Sequence, residues 1–176
     1  MKLLDITNKY GSSTYEYPFG SYEVCDGFRG KPSYEYEKCI GCAACAVARP
    51  SNAINVKLNE EKNKLIWEFD CGRCIFCGRC DEVCPTNAIT LSKEYELAVK
   101  FNKEDLIEQG ELELQLCDSC KKPFTTKRLI AYNIERLKKI GWNENILLEK
   151  IEYMKTCPEC KKRVAIEKVT KHFYNN

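Results

Sequence analysis

Cysteine spacing is the feature that most limits how this chain can fold. Thirteen cysteines occur in 176 residues, and all but Cys25 fall into three groups. The groups are Cys39, Cys42 and Cys45; then Cys71, Cys74, Cys77, Cys80 and Cys84; then Cys117, Cys120, Cys157 and Cys160. Because 31% of the residues are charged and the apolar runs are short, we expect a small core that needs disulfides or metal ions to hold it together.

The first two groups belong to an internal repeat with an offset of 35 residues. Segment 39–45 aligns with 74–80, and each is followed at the same distance by a proline and an Asn-Ala-Ile sequence. A strand is predicted after each motif, at 53–58 and 88–91, and a returning strand at 64–69 completes a hairpin. The sequence therefore predicts two copies of one unit, made of a loop, a short helix and a strand.

We interpret the cysteines as metal ligands rather than as disulfide partners. Residues 1–20 show no pattern of a secretory signal, and no apolar run of about 18 residues suggests a membrane span. We therefore expect a cytosolic chain, in which thiols stay reduced. A pair of zinc knuckles, or buried thiols that act as small apolar side chains, are the alternatives for the first two groups.

The second group contains a complete C-x2-C-x2-C-x3-C-P motif, from Cys74 to Pro85. Such a run places three thiolates around one 4Fe–4S cluster, while its fourth cysteine binds the other cluster of a two-cluster protein. This motif is far more specific than a single C-x2-C pair. The predicted ligands of the first cluster are Cys39, Cys42, Cys45 and Cys84.

The second cluster lacks one expected ligand. Its predicted thiolates are Cys74, Cys77 and Cys80, but the fourth position of the first motif is Arg49. Cys71 lies three residues before Cys74 and is the predicted replacement; a cluster with three thiolates, or no second cluster, are the alternatives. Loss of a thiolate beside a cation should raise the reduction potential of this cluster.

Two C-x2-C pairs in the last third predict a site of another type. Cys117, Cys120, Cys157 and Cys160 supply the four thiolates of a closed tetrahedral site, for which zinc is the first choice and iron the alternative. Two predicted helices, at 129–140 and 143–154, would bring the distant pairs together. Residues 117–176 carry 14 Lys and Arg against 7 Asp and Glu, so basic side chains offset the thiolate charge or dock an acidic partner.

Several segments resemble one known family closely. They are 28–32, 39–45, 50–53, 67–69, 74–80, 91–99 and 157–161. Over nearly the whole chain the sequence is similar to the two-cluster ferredoxin-type subunit of formate hydrogenlyase and hydrogenase-4, which is related to the 2x4Fe–4S peripheral-arm subunit of respiratory complex I. Arg49, where the family has cysteine, and Cys71 depart from that pattern.

The resemblance implies an electron-transfer subunit that is not an enzyme on its own. It would lie on the cytoplasmic face of the inner membrane and pass electrons between a ferredoxin-like donor subunit and nickel-iron hydrogenase subunits. No nucleic acid and no small-molecule substrate is expected. The alternatives are a complex-I-like peripheral subunit, a free ferredoxin and, from a different class, a basic zinc-ribbon protein that binds nucleic acid.

The predicted fold class is α+β, with a bacterial 2x4Fe–4S ferredoxin-like core. We expect an extended N-terminal arm at 1–38, the two-cluster domain at 39–92, a connecting segment at 93–116 and a zinc-ribbon-like extension with two helices at 117–176. A short helix is also predicted at 103–109, capped by Asn102.

Overall fold

The computed structural model describes residues 3–11, 14–20 and 22–174. Residues 1, 2, 12, 13, 21, 175 and 176, which belong to the predicted arm and extension, lie outside these ranges. The helices in the described part are α1 (Leu3–Tyr10), α2 (Ala44–Ala48), α3 (Arg79–Glu82), α4 (Lys127–Lys139), α5 (Glu144–Met154) and α6 (Pro158–Tyr174). The strands there are β1 (Pro32–Tyr34), β2 (Ile54–Asn59), β3 (Lys64–Asp70), β4 (Ile89–Leu91), β5 (Ile107–Leu116) and β6 (Pro123–Thr126). This mixture of helix and sheet agrees with the predicted class.

A four-stranded antiparallel sheet in the order β2–β3–β5–β6 forms the main layer. Burial alternates along β3, where Leu65, Trp67 and Phe69 are buried, and along β5, where Leu112 and Leu114 are buried. This period of two places one face of the sheet against the core. The predicted hairpin is confirmed as β2 and β3, and the sheet runs on through β5 and β6 into the cysteine-rich C-terminal part.

The repeat seen in the sequence is also a repeat of backbone conformation. Short 3-10 turns at Tyr36–Lys38 and Cys71–Arg73 precede the two motifs, and α2 and α3 follow them at equivalent positions. Positive φ angles also occur in equivalent pairs: Gly41 (72°) with Phe76 (52°), and Ala43 (60°) with Gly78 (79°). Residues other than glycine rarely adopt a positive φ angle. Its recurrence at Phe76 and Ala43 shows that both loops have the same unusual backbone conformation.

Two details of the N-terminal arm and the connecting segment need correction. The arm at 1–38 is not extended throughout, because α1 lies at its start and its last residues form β1 and a 3-10 turn. The helix predicted at 103–109 is only a turn at Glu104–Leu106, since the following residues pair with β3 as β5. Asn102 does accept a hydrogen bond from the backbone N–H of Glu104 (3.2 Å).

Up to residue 174, where the described part ends, the C-terminal extension contains three helices rather than two. Residues 158–174 form α6, so Cys157 and Cys160 lie at the start of a helix and not in a second β-hairpin. Only the first cysteine pair lies on a hairpin, between β5 and β6. The predicted zinc-ribbon-like architecture is therefore not confirmed.

None of the helices in the described ranges is long and apolar enough to cross a lipid bilayer.

Candidate metal centres

The four cysteines predicted for the first cluster line one cavity. Cys39, Cys42 and Cys45 reach it from the first motif and Cys84 from the second, so the loop after α3 crosses over to the neighbouring site. Cys42 is exposed, whereas the other three are partly buried. The convergence of four thiols from two distant segments is the arrangement that a 4Fe–4S cluster requires.

Backbone N–H groups point at the sulfur atoms of this site. The N–H of Gly41 donates to Cys39 Sγ (3.4 Å), which the positive φ of Gly41 makes possible, and that of Ala88 donates to Cys84 Sγ (3.1 Å). Burial would raise the pKa of Cys84, but N–H donors of Thr86, Ile89 and Ala88 outweigh burial and lower it. The site is thus prepared for sulfur that carries negative charge.

Two buried donors in the same cavity make no regular hydrogen bond with the described part of the chain and lie beside cysteine thiols instead. They are the indole N–H of Trp67, a residue only 2% exposed, and the hydroxyl of Tyr34. Their rings stack at 3.8 Å, with Trp67 beside Cys45 and Tyr34 beside Cys39. Burial raises the pKa of the Cys45 thiol, and the Trp67 N–H opposes that rise. Unpaired buried donors are costly, so their orientation toward thiols fits a sulfur-rich, negatively charged group in this cavity.

A second cavity contains the three cysteines predicted for the second cluster. Cys74, Cys77 and Cys80 line it together with Arg49 and Ser51. The N–H of Phe76 donates to Cys74 Sγ at 3.4 Å, the equivalent of the bond from Gly41 in the first site. Burial raises the pKa of Cys80 to about 11. Three thiols and the same loop geometry are therefore present here, but a fourth thiol is not among the lining residues.

Cys71, the predicted replacement ligand, lies outside this cavity. It is 5% exposed and packs in the same core cluster as Phe69 and Cys80, and its thiol lies near Cys74 and Lys31. Burial raises the pKa of the thiol. Its repeat equivalent, Tyr36, is likewise absent from the lining of the first cavity. Ligation by Cys71 stays a prediction.

The four C-terminal cysteines lie together. Their sulfur atoms are all within 4.8 Å of one another, and Cys120 Sγ is 3.7 Å from Cys157 Sγ. A tetrahedral Zn–S4 site with bonds of about 2.3 Å has sulfur atoms about 3.8 Å apart, so this spacing fits such a metal. Cys117, Cys157 and Cys160 are buried, which leaves little water to stabilise ionised thiols without a cation.

As in the two cavities, backbone N–H groups donate hydrogen bonds to cysteine sulfur atoms in the C-terminal site. The N–H of Cys157 donates to Cys117 Sγ (3.2 Å), and that of Cys160 donates to Cys157 Sγ (3.4 Å). Burial would raise the pKa of Cys117, but N–H donors of Cys120, Cys157 and Ser119 outweigh it and lower the pKa. The neighbouring thiol of Cys157 raises the pKa of Cys160. Backbone N–H donors and crowded thiols are thus both present at this site, as a group of metal-binding thiolates requires.

Residues at the start of α4 contact the loop that lines the first cavity. Thr126 is fully buried, accepts the N–H of Leu129 as helix cap (3.1 Å) and donates a short hydrogen bond to the carbonyl of Ile40. Arg128 lies over the ring of Tyr36 (4.6 Å) and donates to the carbonyl of Cys39 (3.3 Å). We call Thr126 and Arg128 the α4 clamp. It connects the C-terminal site, a few residues away, to the first cavity.

Replacement of Gly41 by alanine should destabilise the first site. Gly41 has a φ of 72°, and an added Cβ would lie 2.5 Å from Cγ2 of Thr126. The backbone strain and the contact together should cost about 1–3 kcal/mol of unfolding free energy. The measurement is the guanidinium concentration at which the protein loses its iron chromophore.

The matched control for this variant is Gly27→Ala. Gly27 has a similar φ of 79° but nothing within 4 Å of an added Cβ, so the control carries the backbone strain alone. Equal shifts for both variants would contradict the proposed contact with Thr126.

Sequence reasoning missed the residues that surround the thiols. Trp67 was visible only as a strand residue, Tyr34 only as part of the N-terminal arm, and Thr126 and Arg128 only as part of a basic segment. Thr126 is 86 residues from Ile40, its acceptor, and no spacing rule connects positions so far apart. The one available signal was the cap residue before an apolar helical pattern, which predicts where α4 begins but not what it touches.

Known proteins match both the cysteine motifs and most of the chain. Residues 38–88 match the family model of the 4Fe-4S dicluster domain. Over 158 residues the sequence is 47% identical to formate hydrogenlyase subunit 6 of Escherichia coli (strain K12), which covers 90% of this chain and 86% of that protein. A chain in the structure of the membrane-bound sulfane sulfur reductase, an archaeal respiratory membrane complex, is 28% identical with a TM-score of 0.44. That match covers 57% of this chain and 56% of the other, little more than half of its length.

Proposed function

Because this chain belongs to the family of formate hydrogenlyase subunit 6, we propose that it is an electron-transfer subunit of a membrane-associated nickel-iron hydrogenase complex of the formate hydrogenlyase and hydrogenase-4 type. The match to that relative extends over 158 residues, which is 90% of the chain. The chain would relay electrons and would not turn over a substrate alone.

The observation that carries the proposal is the first cavity. Four thiols from two repeat units converge there, and the buried donors of Trp67 and Tyr34 lie beside them. A 4Fe–4S cluster supplies one-electron redox chemistry, and the protein tunes its potential through hydrogen bonds to sulfur and through burial. Cys39, Cys42, Cys45 and Cys84 would hold the first cluster, and Cys74, Cys77 and Cys80 the second.

We also propose that zinc occupies the C-terminal site, held by Cys117, Cys120, Cys157 and Cys160. The closed set of four sulfurs and their 3.7 Å spacing support a structural metal, with no open position for a substrate. Iron in the same tetrahedral sulfur site is the competing assignment, and elemental analysis distinguishes the two.

The proposed partners are the nickel-iron hydrogenase subunits and a ferredoxin-like donor subunit on the cytoplasmic face of the inner membrane. The uneven distribution of charge along the chain supports two different contact surfaces. Residues 117–176 carry a net charge of +7, and the rest of the chain carries −5. Opposite charges steer different partners to the two ends of a relay.

Metal analysis and EPR of the anaerobically purified complex test the proposal. We expect about eight irons and one zinc per copy of this chain, with two reduced clusters whose EPR signals interact. About four irons would leave only the first cluster and contradict a two-cluster relay. Absence of iron and sulfide from the chain would overturn the function altogether.

A further inference from the structure

The second cavity does not fit a standard 4Fe–4S cluster with four protein thiolates. The residue at the fourth ligand position is Arg49, which lines the second cavity as its repeat equivalent, Cys84, lines the first. A guanidinium stays protonated in proteins and offers no electron pair to iron. The two cavities therefore differ at the fourth ligand position, which is Arg49 in the second cavity and Cys84 in the first.

Arg49 is held in place by its own hydrogen bonds. Its Nε donates to the carbonyl of Ala46 (2.7 Å), and its two terminal nitrogens donate to the carbonyl of Ser51 (3.4 Å) and to Oδ1 of Asn55 (3.2 Å). All three nitrogens are engaged, and the side chain is half-buried. The side chain of Arg49 is thus an ordered part of the loop. It places a cation at the position where the other motif has a cysteine.

Within the described residues, no other thiol lines the second cavity. Cys71 packs near Cys74 and Lys31, but it is not among the residues that line the cavity. Cys25, the remaining cysteine outside the three groups, is exposed and is likewise absent from the lining. The other cysteines line the first cavity or form the C-terminal site.

We propose that the second cavity binds a cluster through three protein thiolates, so that one of its irons has no protein ligand and exchanges with iron in solution. This inference rests on the proposed two-cluster function and specifies the second cluster. Arg49 lies at the position of the missing ligand, and the charge of its guanidinium would favour an anion there.

The test follows the loss of that iron. The anaerobically purified protein is treated with ferricyanide, a one-electron oxidant. A four-iron cluster then releases one ferrous ion and one electron, which reduces ferricyanide to ferrocyanide, and three ferric ions with four sulfides remain. We expect the natural protein to lose about one of roughly eight irons and to develop the EPR signal of an oxidised three-iron cluster. Reduction in the presence of isotopically labelled ferrous iron should restore that iron with the label, as read by Mössbauer spectroscopy.

Three variants test which residue, if any, supplies the fourth ligand. Arg49→Cys supplies the missing thiolate and should retain all its iron under the same oxidation. Arg49→Ser removes the guanidinium without adding a thiolate, so this variant should lose iron as the natural protein does. It also serves as the control for any disturbance of the loop by a substitution at position 49. Cys71→Ser should also behave like the natural protein.

Each opposite outcome overturns the inference. If the natural protein keeps all its iron and Cys71→Ser loses it, Cys71 is the fourth ligand. If both keep it, another donor completes the cluster. A natural protein with only about four irons has no second cluster, whereas absence of both clusters would refute the proposed function and not merely this inference.

Discussion

Cys84→Ala will remove the cluster of the first motif, although Cys84 belongs to the second motif in the sequence. Its thiol lines the cavity of Cys39, Cys42 and Cys45, so the loss of one of four ligands falls on that cluster. The bound iron should drop by about half, with the EPR signal of the second cluster retained and its interaction with the first one lost.

Comparison among variants identifies the cluster that is lost. The EPR spectrum of Cys84→Ala should match that of Cys39→Ala and differ from that of Cys74→Ala, whose thiol lines the other cavity. Cys25→Ser is the matched control, because Cys25 is exposed and lines neither cavity. A Cys84→Ala spectrum that matches Cys74→Ala instead would show that the two motifs bind their clusters without crossing over.

Removal of the C-terminal metal will unfold the helices of the extension and make the first cluster labile. The buried residues of the extension are few and include three of its four cysteines. Structural zinc in small domains contributes about 10–16 kcal/mol of binding free energy, which such a segment cannot replace. When α4 unfolds, the α4 clamp on Ile40 and Cys39 is lost with it.

The measurement pairs circular dichroism with the rate of iron release. A chelator, or Cys157→Ser, should reduce the helical signal and speed iron release from the first cavity about tenfold, since the clamp hydrogen bonds contribute about 1–3 kcal/mol. Thr126→Val is the matched variant, because it keeps the volume of the side chain and removes only its hydroxyl. It should speed release in the same direction by a smaller factor. Metal loss that leaves iron release unchanged would show that the two sites are independent.

The parts of the molecule that the sequence predicts are those governed by local rules. The 35-residue repeat predicts equivalent turns and helices, and the structure even repeats the positive φ angles at Gly41 and Phe76. Alternating apolar residues predict the β2–β3 hairpin. The four C-terminal cysteines were predicted to share one site because four thiols at this spacing serve one metal.

The remaining features depend on contacts that no local pattern encodes. Residues 107–109 have a sequence compatible with a helix, but pairing with β3 makes them a strand, so tertiary contacts override propensity. Cys71 has suitable spacing for a ligand and lies in a 3-10 turn, but it is not among the residues that line the second cavity, so its role stays a prediction. Spacing counts residues along the chain, whereas ligation depends on the direction of the Cα–Cβ bond.

The uneven exposure of the first cavity has a consequence for electron tunnelling. Tyr34 and Trp67 stack on the wall of the cavity and are both less exposed than Cys42, which is the exposed cysteine of the four. Tunnelling rates fall steeply with the thickness of protein that an electron must cross. With the proposed cluster in this cavity, we expect a redox partner to approach it most closely over Cys42, so that electrons enter or leave there.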